Sequence, residues 1–167
     1  GRLKEYAPFS FTTEETGGII GNGDITMDWI VHVLKRTVDT QYRTKADRRH
    51  TFLAGSSMGG LMTLYGLLVY PEVFSRGAAL SPSLWIDAEK VKAMIRHARV
   101  KRNTVLYMDY GALEFADHPH SRSLFAEVSA LLIEKRVLLN SRIVPRGTHC
   151  EASWEKQIPF FMKTLFE

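Results

Sequence analysis

Residues 51–60 read TFLAGSSMGG. The first half predicts a short, mostly apolar β-strand, and the Leu-rich segment that follows predicts a helix. Between them the pattern G-x-S-x-G, centred on Ser57, indicates a sharp turn that presents the serine hydroxyl at the tip of a sheet. We expect Gly55 and Gly59 to be required because the backbone there approaches itself too closely for a Cβ. The amide of Met58, at the helix N terminus, would then point to where an oxyanion forms.

The composition is that of an ordinary globular protein. Of 167 residues, 45% are hydrophobic and 24% are charged, and this length suits one domain. No run of 18 apolar residues occurs, so we expect no membrane partner. The net charge of +4 is spread along the chain, and the densest basic run, 96–102, lacks interleaved aromatic residues, so we expect no nucleic-acid partner. The single cysteine, Cys150, excludes an internal disulfide and favours a reducing, cytoplasmic compartment, although the chain opens at Gly1 and its localisation stays open.

Strand and helix patterns alternate along the chain. Short apolar runs predict strands at 50–54, 78–80, 104–108 and 139–144, and residues 1–9 predict the end of another strand that stops at Pro8. The segment after Pro8 is interpreted as a surface loop. Asp24 is expected to cap a helix whose apolar face is formed by Met27, Ile30, Val31, Leu34 and Val38. Further helices are predicted after Gly59, at 87–97, around 124–132 and at the C terminus. This alternation predicts an α/β fold with a mostly parallel sheet between two helical layers.

A catalytic serine needs a general base and an acid that orients the base. Clustered Gly and Ser residues also occur in ordinary tight turns, so the catalytic interpretation depends on finding both partners in the order serine, acid, histidine. His149 fits the base because it follows the last strand and precedes the last helix. For the acid, Glu114 is best placed after the strand 104–108, with Asp117 second and Asp109 third. The other histidines lie in predicted helices, before Ser57, or in the loop that leads into a helix: His32, His50, His97, His118 and His120.

Other residues near these positions are candidates for further roles. The stretch Asp117-His118-Pro119-His120 could be imagined as a metal site, but no further His or Cys cluster supports it, and we expect no metal. Glu151 and Trp154 are expected to orient the histidine loop and line the substrate pocket, and packing alone would explain Trp154 equally well.

Several motifs occur together in a characteristic order. They are R-x-x-E-Y-x-P (2–8), G-x-G-D (21–24), Y-R-T (42–44), G-S-S-M-G-G (55–60), S-P-S-L-W (81–85), G-x-x-E (111–114) and H-x-E-x-x-W (149–154). In this order the chain resembles the putative-esterase family of α/β hydrolases, which includes esterase D-like, feruloyl-esterase-like and enterochelin-esterase-like proteins. The resemblance extends over essentially all 167 residues.

The resemblance implies a serine esterase that needs no cofactor. Ser57 would be the nucleophile, His149 the base and Glu114 the acid, with Trp85 as a pocket wall. The implied substrate is a small-molecule, carbohydrate or siderophore ester. Two other functions stay open: acyl transfer to an alcohol by the same apparatus, and a noncatalytic binding role on a hydrolase fold.

The front of the chain departs from this family. Its members have further strands before the R-x-x-E-Y piece, and one of them pairs with the nucleophile strand, so residues 1–167 would form the C-terminal part of a single three-layer α/β-hydrolase domain without its N-terminal strands. The strand 50–54 would then be an open sheet edge, a liability in a soluble protein. We therefore expect a partial chain, completed by a missing N-terminal segment, another polypeptide or a second copy.

Overall fold

The strands that carry the site lie in one parallel sheet. The structure is a computed structural model, and it describes residues 1–13, 17–117 and 120–167, apart from the side chains of Thr13 and Asp117. Within these residues the sheet order is β3-β4-β5-β6, and a separate antiparallel pair joins β1 and β2. The strands are β1 (Phe11–Thr13), β2 (Gly17–Ile19), β3 (Phe52–Ser56), β4 (Arg76–Leu80), β5 (Val105–Gly111) and β6 (Leu138–Val144).

Helices follow the strands and cover both faces of the sheet. The described α-helices are α1 (Arg2–Glu5), α2 (Gly23–Trp29), α3 (Lys35–Gln41), α4 (Met58–Val69), α5 (Ala88–His97), α6 (Glu114–Asp117), α7 (Ser121–Glu134), α8 (Glu151–Glu155) and α9 (Ile158–Phe166). A π-helical turn, Ile30–Leu34, joins α2 to α3, and 3₁₀ turns occupy Arg48–His50 and Leu84–Asp87. None of the helices that the structure describes is long and apolar enough to span a bilayer.

The two central strands send alternate side chains to opposite faces. In β5, Leu106 and Met108 join a large core with α4, α5 and α7, whereas Tyr107 joins a smaller cluster with Leu165 of α9. The side chains of these three residues of β5 are 0% exposed. Burial on both faces is what a parallel strand between two helical layers requires, so the predicted three-layer α/β architecture is confirmed.

The register of the strands brings the segments that follow β3, β4, β5 and β6 to one edge of the sheet. Ser56 pairs with Leu80, and Leu80 pairs with Asp109 of β5. Farther along, Gly111 pairs with Val144 of β6. Because parallel strands all end at the same edge, the segments that follow them meet there.

Strand β3 lies at the open side of this sheet. In the described part of the chain it pairs with β4 alone. The predicted apolar face of the helical segment from α2 to α3 is only partly covered. Met27 and Val31 are buried, but Leu34 is 41% exposed and Val38 is 37% exposed.

The N-terminal region differs from the prediction. Residues 1–9 begin with the short helix α1 and not with a strand, since Leu, Lys and Glu in its sequence are good helix formers. The segment predicted as a loop contains the pair β1–β2, with residues 14–16 outside the described part. Helix α2 begins one residue before Asp24, with Asn22 at the N-cap position.

Candidate active site

Ser57 stands on a strained turn between β3 and α4. Its φ is 56° and its ψ is −121°, a conformation that residues with a side chain seldom adopt. The turn is held by hydrogen bonds: the Ser57 amide donates to the Leu80 carbonyl at 2.9 Å, and the Ser57 carbonyl accepts from the Ser83 amide at 3.1 Å. Strain held by surrounding bonds is typical of a nucleophile elbow.

The two glycines beside Ser57 are not equivalent. A Cβ on Gly55 would lie 2.5 Å from the Gly59 backbone, which leaves no room for a side chain. A Cβ on Gly59 would meet nothing within 4 Å, so the prediction that both glycines are needed for space is wrong for Gly59. The tight approach of α4 to the sheet falls on Gly60 instead, where a Cβ would lie 3.0 Å from the Leu80 carbonyl oxygen.

His149 lies between Ser57 and Glu114. Its Nε2 is 2.9 Å from Ser57 Oγ, and its Nδ1 is 2.7 Å from Glu114 Oε2. A carboxylate can only accept, so Nδ1 carries the proton and donates it to Glu114. Nε2 then has a free lone pair that accepts from the serine hydroxyl. The side chain of His149 is 42% exposed, whereas that of Glu114 is 4% exposed.

Glu114 is a buried carboxylate with three donors. Besides His149, the Ser81 hydroxyl lies 2.6 Å and the Gly111 amide 2.8 Å from its other oxygen, Oε1. Burial raises the pKa of Glu114, but these hydrogen bonds outweigh it, and the pKa falls below its ordinary value. The group is therefore ionised at neutral pH. Burial, and to a smaller extent the charge of Glu114, raises the pKa of Tyr110 to about 12.

The other predicted acids occupy different places. Asp109 is 1% exposed, and its carboxylate accepts from the Tyr107 hydroxyl at 2.7 Å and the Ser81 amide at 3.2 Å. Burial raises the pKa of Asp109 above its ordinary value. The Asp117 side chain lies outside the described part, as do residues 118 and 119 of the imagined metal site. Among the described residues no group of three or more His, Cys, Asp or Glu side chains could hold a metal ion.

The remaining predicted residues surround this group. Met58 is the first residue of α4, so its amide is one of those at the helix N terminus that have no carbonyl partner within the helix. Trp85 lies in the 3₁₀ turn after Ser83, with 41% of its surface exposed. Glu151 is exposed at the start of α8. The Trp154 ring meets the His149 ring edge-on with centroids 5.0 Å apart.

Sequence reasoning gave no role to two serines of the S-P-S-L-W motif that lie in the site. Ser81 and Ser83 follow β4, and both are 1% exposed. The Ser81 hydroxyl contacts Glu114, and the Ser83 hydroxyl is 3.4 Å from Ser57 Oγ. The available signal was their position: they come directly after the strand that neighbours the nucleophile strand.

The order of these loops defines a class of protein. Serine, then acid, then histidine at one edge of a parallel sheet is the arrangement of the α/β hydrolases, whose fold this chain has. A model of the family described as "Putative esterase" matches residues 21–162. The chain belongs to this family.

Individual relatives agree with this assignment. The iron(III) salmochelin esterase of Escherichia coli O6:H1 is 35% identical over 78 residues, which are 46% of this chain and 19% of that esterase. An IroE-like serine hydrolase from Shewanella oneidensis has a TM-score of 0.78 at 19% identity, over 98% of this chain and 55% of its own. The siderophore hydrolase EstA from Aspergillus nidulans has a TM-score of 0.72 at 18% identity, over 98% and 66% of the two chains. The chain thus spans about half the length of the Shewanella hydrolase, and at these identities the two structures show a shared fold.

Proposed function

We propose that the protein is a serine carboxylic-ester hydrolase that works through an acyl-enzyme. The observation that carries this proposal is the chain of hydrogen bonds from Ser57 through His149 to Glu114, with the serine on a strained strand–helix turn. Membership of the esterase family supports the same reaction class.

In the proposed reaction Ser57 is the nucleophile. As its Oγ attacks the ester carbonyl carbon, His149 Nε2 takes the hydroxyl proton, and the proton then passes to the leaving alcohol. Water attacks the acyl-enzyme through the same histidine and releases the acid. The separation of 2.9 Å between Oγ and Nε2 suits direct proton transfer.

The other groups have supporting roles in this proposal. Glu114 holds the histidine in the tautomer with Nδ1 protonated and stabilises the imidazolium that forms. The Met58 amide donates to the oxyanion, where one lost donor costs about 3 to 4 kcal/mol. Trp85 and Glu151 would contact the substrate.

The substrate that we propose is a siderophore ester. Two relatives support this class by their printed names, a salmochelin esterase and a siderophore hydrolase, whereas a ferulic acid esterase with the same fold carries a different ester in its name. Hydrolysis of such an ester releases a carboxylic acid and an alcohol without a change of oxidation state, and it requires no cofactor.

A labelling experiment tests the proposal on the protein at its native length. We expect a fluorophosphonate probe to label Ser57 and the Ser57→Ala variant to lose hydrolysis of p-nitrophenyl acetate by about 10⁴-fold or more. Ser56→Ala is the matched control, because it removes the hydroxyl of the neighbouring residue at the end of β3, and it should retain both labelling and hydrolysis. Unchanged turnover in Ser57→Ala would exclude Ser57 as the nucleophile. A wild-type protein that the probe does not label would favour a noncatalytic binding role, and esters formed with added alcohols would favour acyl transfer.

A further inference from the structure

The Ser81 hydroxyl links two parts of the site that are far apart in sequence. The Trp154 indole Nε1 lies 3.0 Å from Ser81 Oγ, and Glu114 Oε1 lies 2.6 Å from the same atom. An indole N–H can only donate. Ser81 Oγ therefore accepts from Trp154, and its own proton is donated to Glu114.

The direction of these hydrogen bonds assigns the two oxygens of the Glu114 carboxylate to different partners. Oε1 of Glu114 receives two hydrogen bonds, from Ser81 and from the Gly111 amide, while Oε2 faces His149. The carboxylate cannot rotate without breaking both bonds to Oε1. The plane of the acid, and with it the direction of the His149 ring, is thus held by the Ser81 hydroxyl together with the Gly111 amide.

The backbone of Ser81 is held in an unusual conformation that places the hydroxyl. Its φ is 41°, in the left-handed region that favours glycine. The Ser81 amide donates both to the Asp109 carbonyl oxygen at 3.0 Å and to the Asp109 carboxylate at 3.2 Å. Backbone strain of this kind persists only where surrounding contacts hold the residue in place.

Trp154 couples the acid to the histidine loop. The same indole that donates to Ser81 packs edge-on against the His149 ring, at an interplanar angle of 85°. One rigid side chain of α8 thus contacts His149 directly and Glu114 through the Ser81 hydroxyl.

We propose that Ser81 is a positioning residue, which acts with Trp154 to hold the Glu114 carboxylate in the orientation that fixes the His149 tautomer. This inference rests on the proposed function and adds to it two residues that do not touch the reacting atoms. Ser81 is 1% exposed and cannot reach a substrate, so its effect must pass through Glu114.

The main test is the Ser81→Ala variant of the protein at its native length. The loss of one hydrogen bond to a charged acceptor should lower kcat for p-nitrophenyl acetate by about tenfold to a hundredfold, while KM changes less than about twofold. The matched control is Ser75→Ala, because the Ser75 hydroxyl is also buried but has no hydrogen-bond partner among the described residues. We expect Ser75→Ala to keep the wild-type kcat.

A second measurement separates positioning from general damage to the fold. The proton on His149 Nδ1 should give a resolved downfield NMR signal in the wild type, because it lies in a charged hydrogen bond of 2.7 Å. In Ser81→Ala this signal should broaden or move, whereas in Ser75→Ala it should not. The same signal can be recorded in a Ser57→Ala background, so the role of Ser81 is tested even if Ser57 is not the nucleophile.

A double-mutant cycle tests the proposed route through Trp154. Trp154→Phe keeps an aromatic ring but removes the indole donor, and we expect a loss of about threefold to tenfold in kcat. Because that bond acts through the Ser81 hydroxyl, Trp154→Phe should cost little more once Ser81 is alanine. Fully additive effects, or a Ser81→Ala variant with normal kcat and an unchanged Nδ1 signal, would overturn the proposal. If Ser81→Ala does not fold, the kcat and Nδ1 signal of Trp154→Phe decide the question alone.

Discussion

At Glu114, burial and hydrogen bonding have opposite effects on the pKa. Its side chain is 4% exposed, which by itself favours the neutral acid, yet three donors reach it from His149, Ser81 and Gly111. The hydrogen bonds prevail, and the pKa of Glu114 lies below its ordinary value. A lowered pKa means that the ionised carboxylate adds to the stability of the fold as well as orienting the histidine.

Replacement of Glu114 by glutamine should separate these two effects. The amide keeps the shape of the side chain but lacks the charge that stabilises imidazolium, so we expect Glu114→Gln to lower kcat by about 10³- to 10⁴-fold. Asp117→Asn, at the other acid that the sequence offers, is the comparison and should have little effect. A large loss in Asp117→Asn with a small one in Glu114→Gln would move the acid role to Asp117.

The same variant gives a pH dependence of stability with a definite sign. A depressed carboxylate pKa contributes stability above the unfolded value, about 4.3, and the contribution is lost as the pH falls through the folded pKa. Chemical denaturation at several pH values should therefore find wild type and Glu114→Gln farthest apart near neutral pH. The difference in their free energies of unfolding should shrink below about pH 4.

Among the elements, the turn from β3 to α4 makes the most specific demand on residue type. A Cβ at Gly55 would lie 2.5 Å from backbone atoms of Gly59, and backbone cannot move aside as a flexible side chain can. At Gly59 a Cβ has open space, and the residue lies in a helix, where alanine is favoured over glycine by about 1 kcal/mol.

We therefore expect Gly55→Ala and Gly59→Ala to have opposite outcomes. Gly55→Ala should distort the elbow and abolish labelling of Ser57 by a fluorophosphonate, or prevent folding. Gly59→Ala should fold with equal or higher stability and still be labelled. Thermal unfolding and probe labelling, measured side by side, check both. Equal damage in the two variants would mean that Gly59 has a role other than space.

The same elements show what the sequence could predict. The four strands of the main sheet were predicted from short apolar runs and the helices between them from apolar residues at helical spacing, and a strand such as 139–144 was only extended by the structure. Residues 1–9 were interpreted wrongly, because a helix of four residues has too few positions to display a helical period. The Gly59 error has a different origin: the motif shows that two segments approach each other, but not which of the two glycines needs the space.

The residues of the site could be predicted only where their order along the chain indicates a role. Ser57, Glu114 and His149 were chosen because each follows a predicted strand, and the structure brings these three side chains within hydrogen-bonding distance. The position of Ser81 depends on its positive φ and on Asp109, which no local pattern encodes. The contact from Trp154 joins residues 73 apart in the chain.

At the scale of the whole molecule, the two faces of the sheet have unequal cores. On one face lies the large core under α4, α5 and α7. On the other, the buried members are only Ala78, Leu80, Tyr107 and Leu165, as far as the described residues extend. The layer formed by α8 and α9 is therefore held by few apolar contacts, and we expect it to open at lower free energy than the rest of the domain.

This weaker layer also carries part of the candidate site. Trp154 belongs to α8 and contacts both His149 and Ser81. At the other end of the layer, the Arg76 guanidinium donates to the Leu165 carbonyl at 2.9 Å. This bond gives a partner to one of the carbonyl groups at the C-terminal end of α9, which lack one within the helix. Trp154 also packs against the cluster that contains Leu165 of α9. Loss of packing in α9 should therefore loosen Trp154 and disturb the position of His149.

Leu165→Ala tests this connection. Removal of a buried leucine costs about 2 to 5 kcal/mol, and because the cluster is small, the loss should appear mainly as faster amide exchange in α8 and α9. Met162→Ala, on the exposed side of the same helix, is the matched control and should leave exchange unchanged. We also expect Leu165→Ala to lower kcat severalfold, since Trp154 would be held less firmly against His149 and Ser81. Equal loss of amide-exchange protection in α4, α5 and α7 would show that the two layers unfold as one unit. That result would contradict the proposed specific link between α9 and the site.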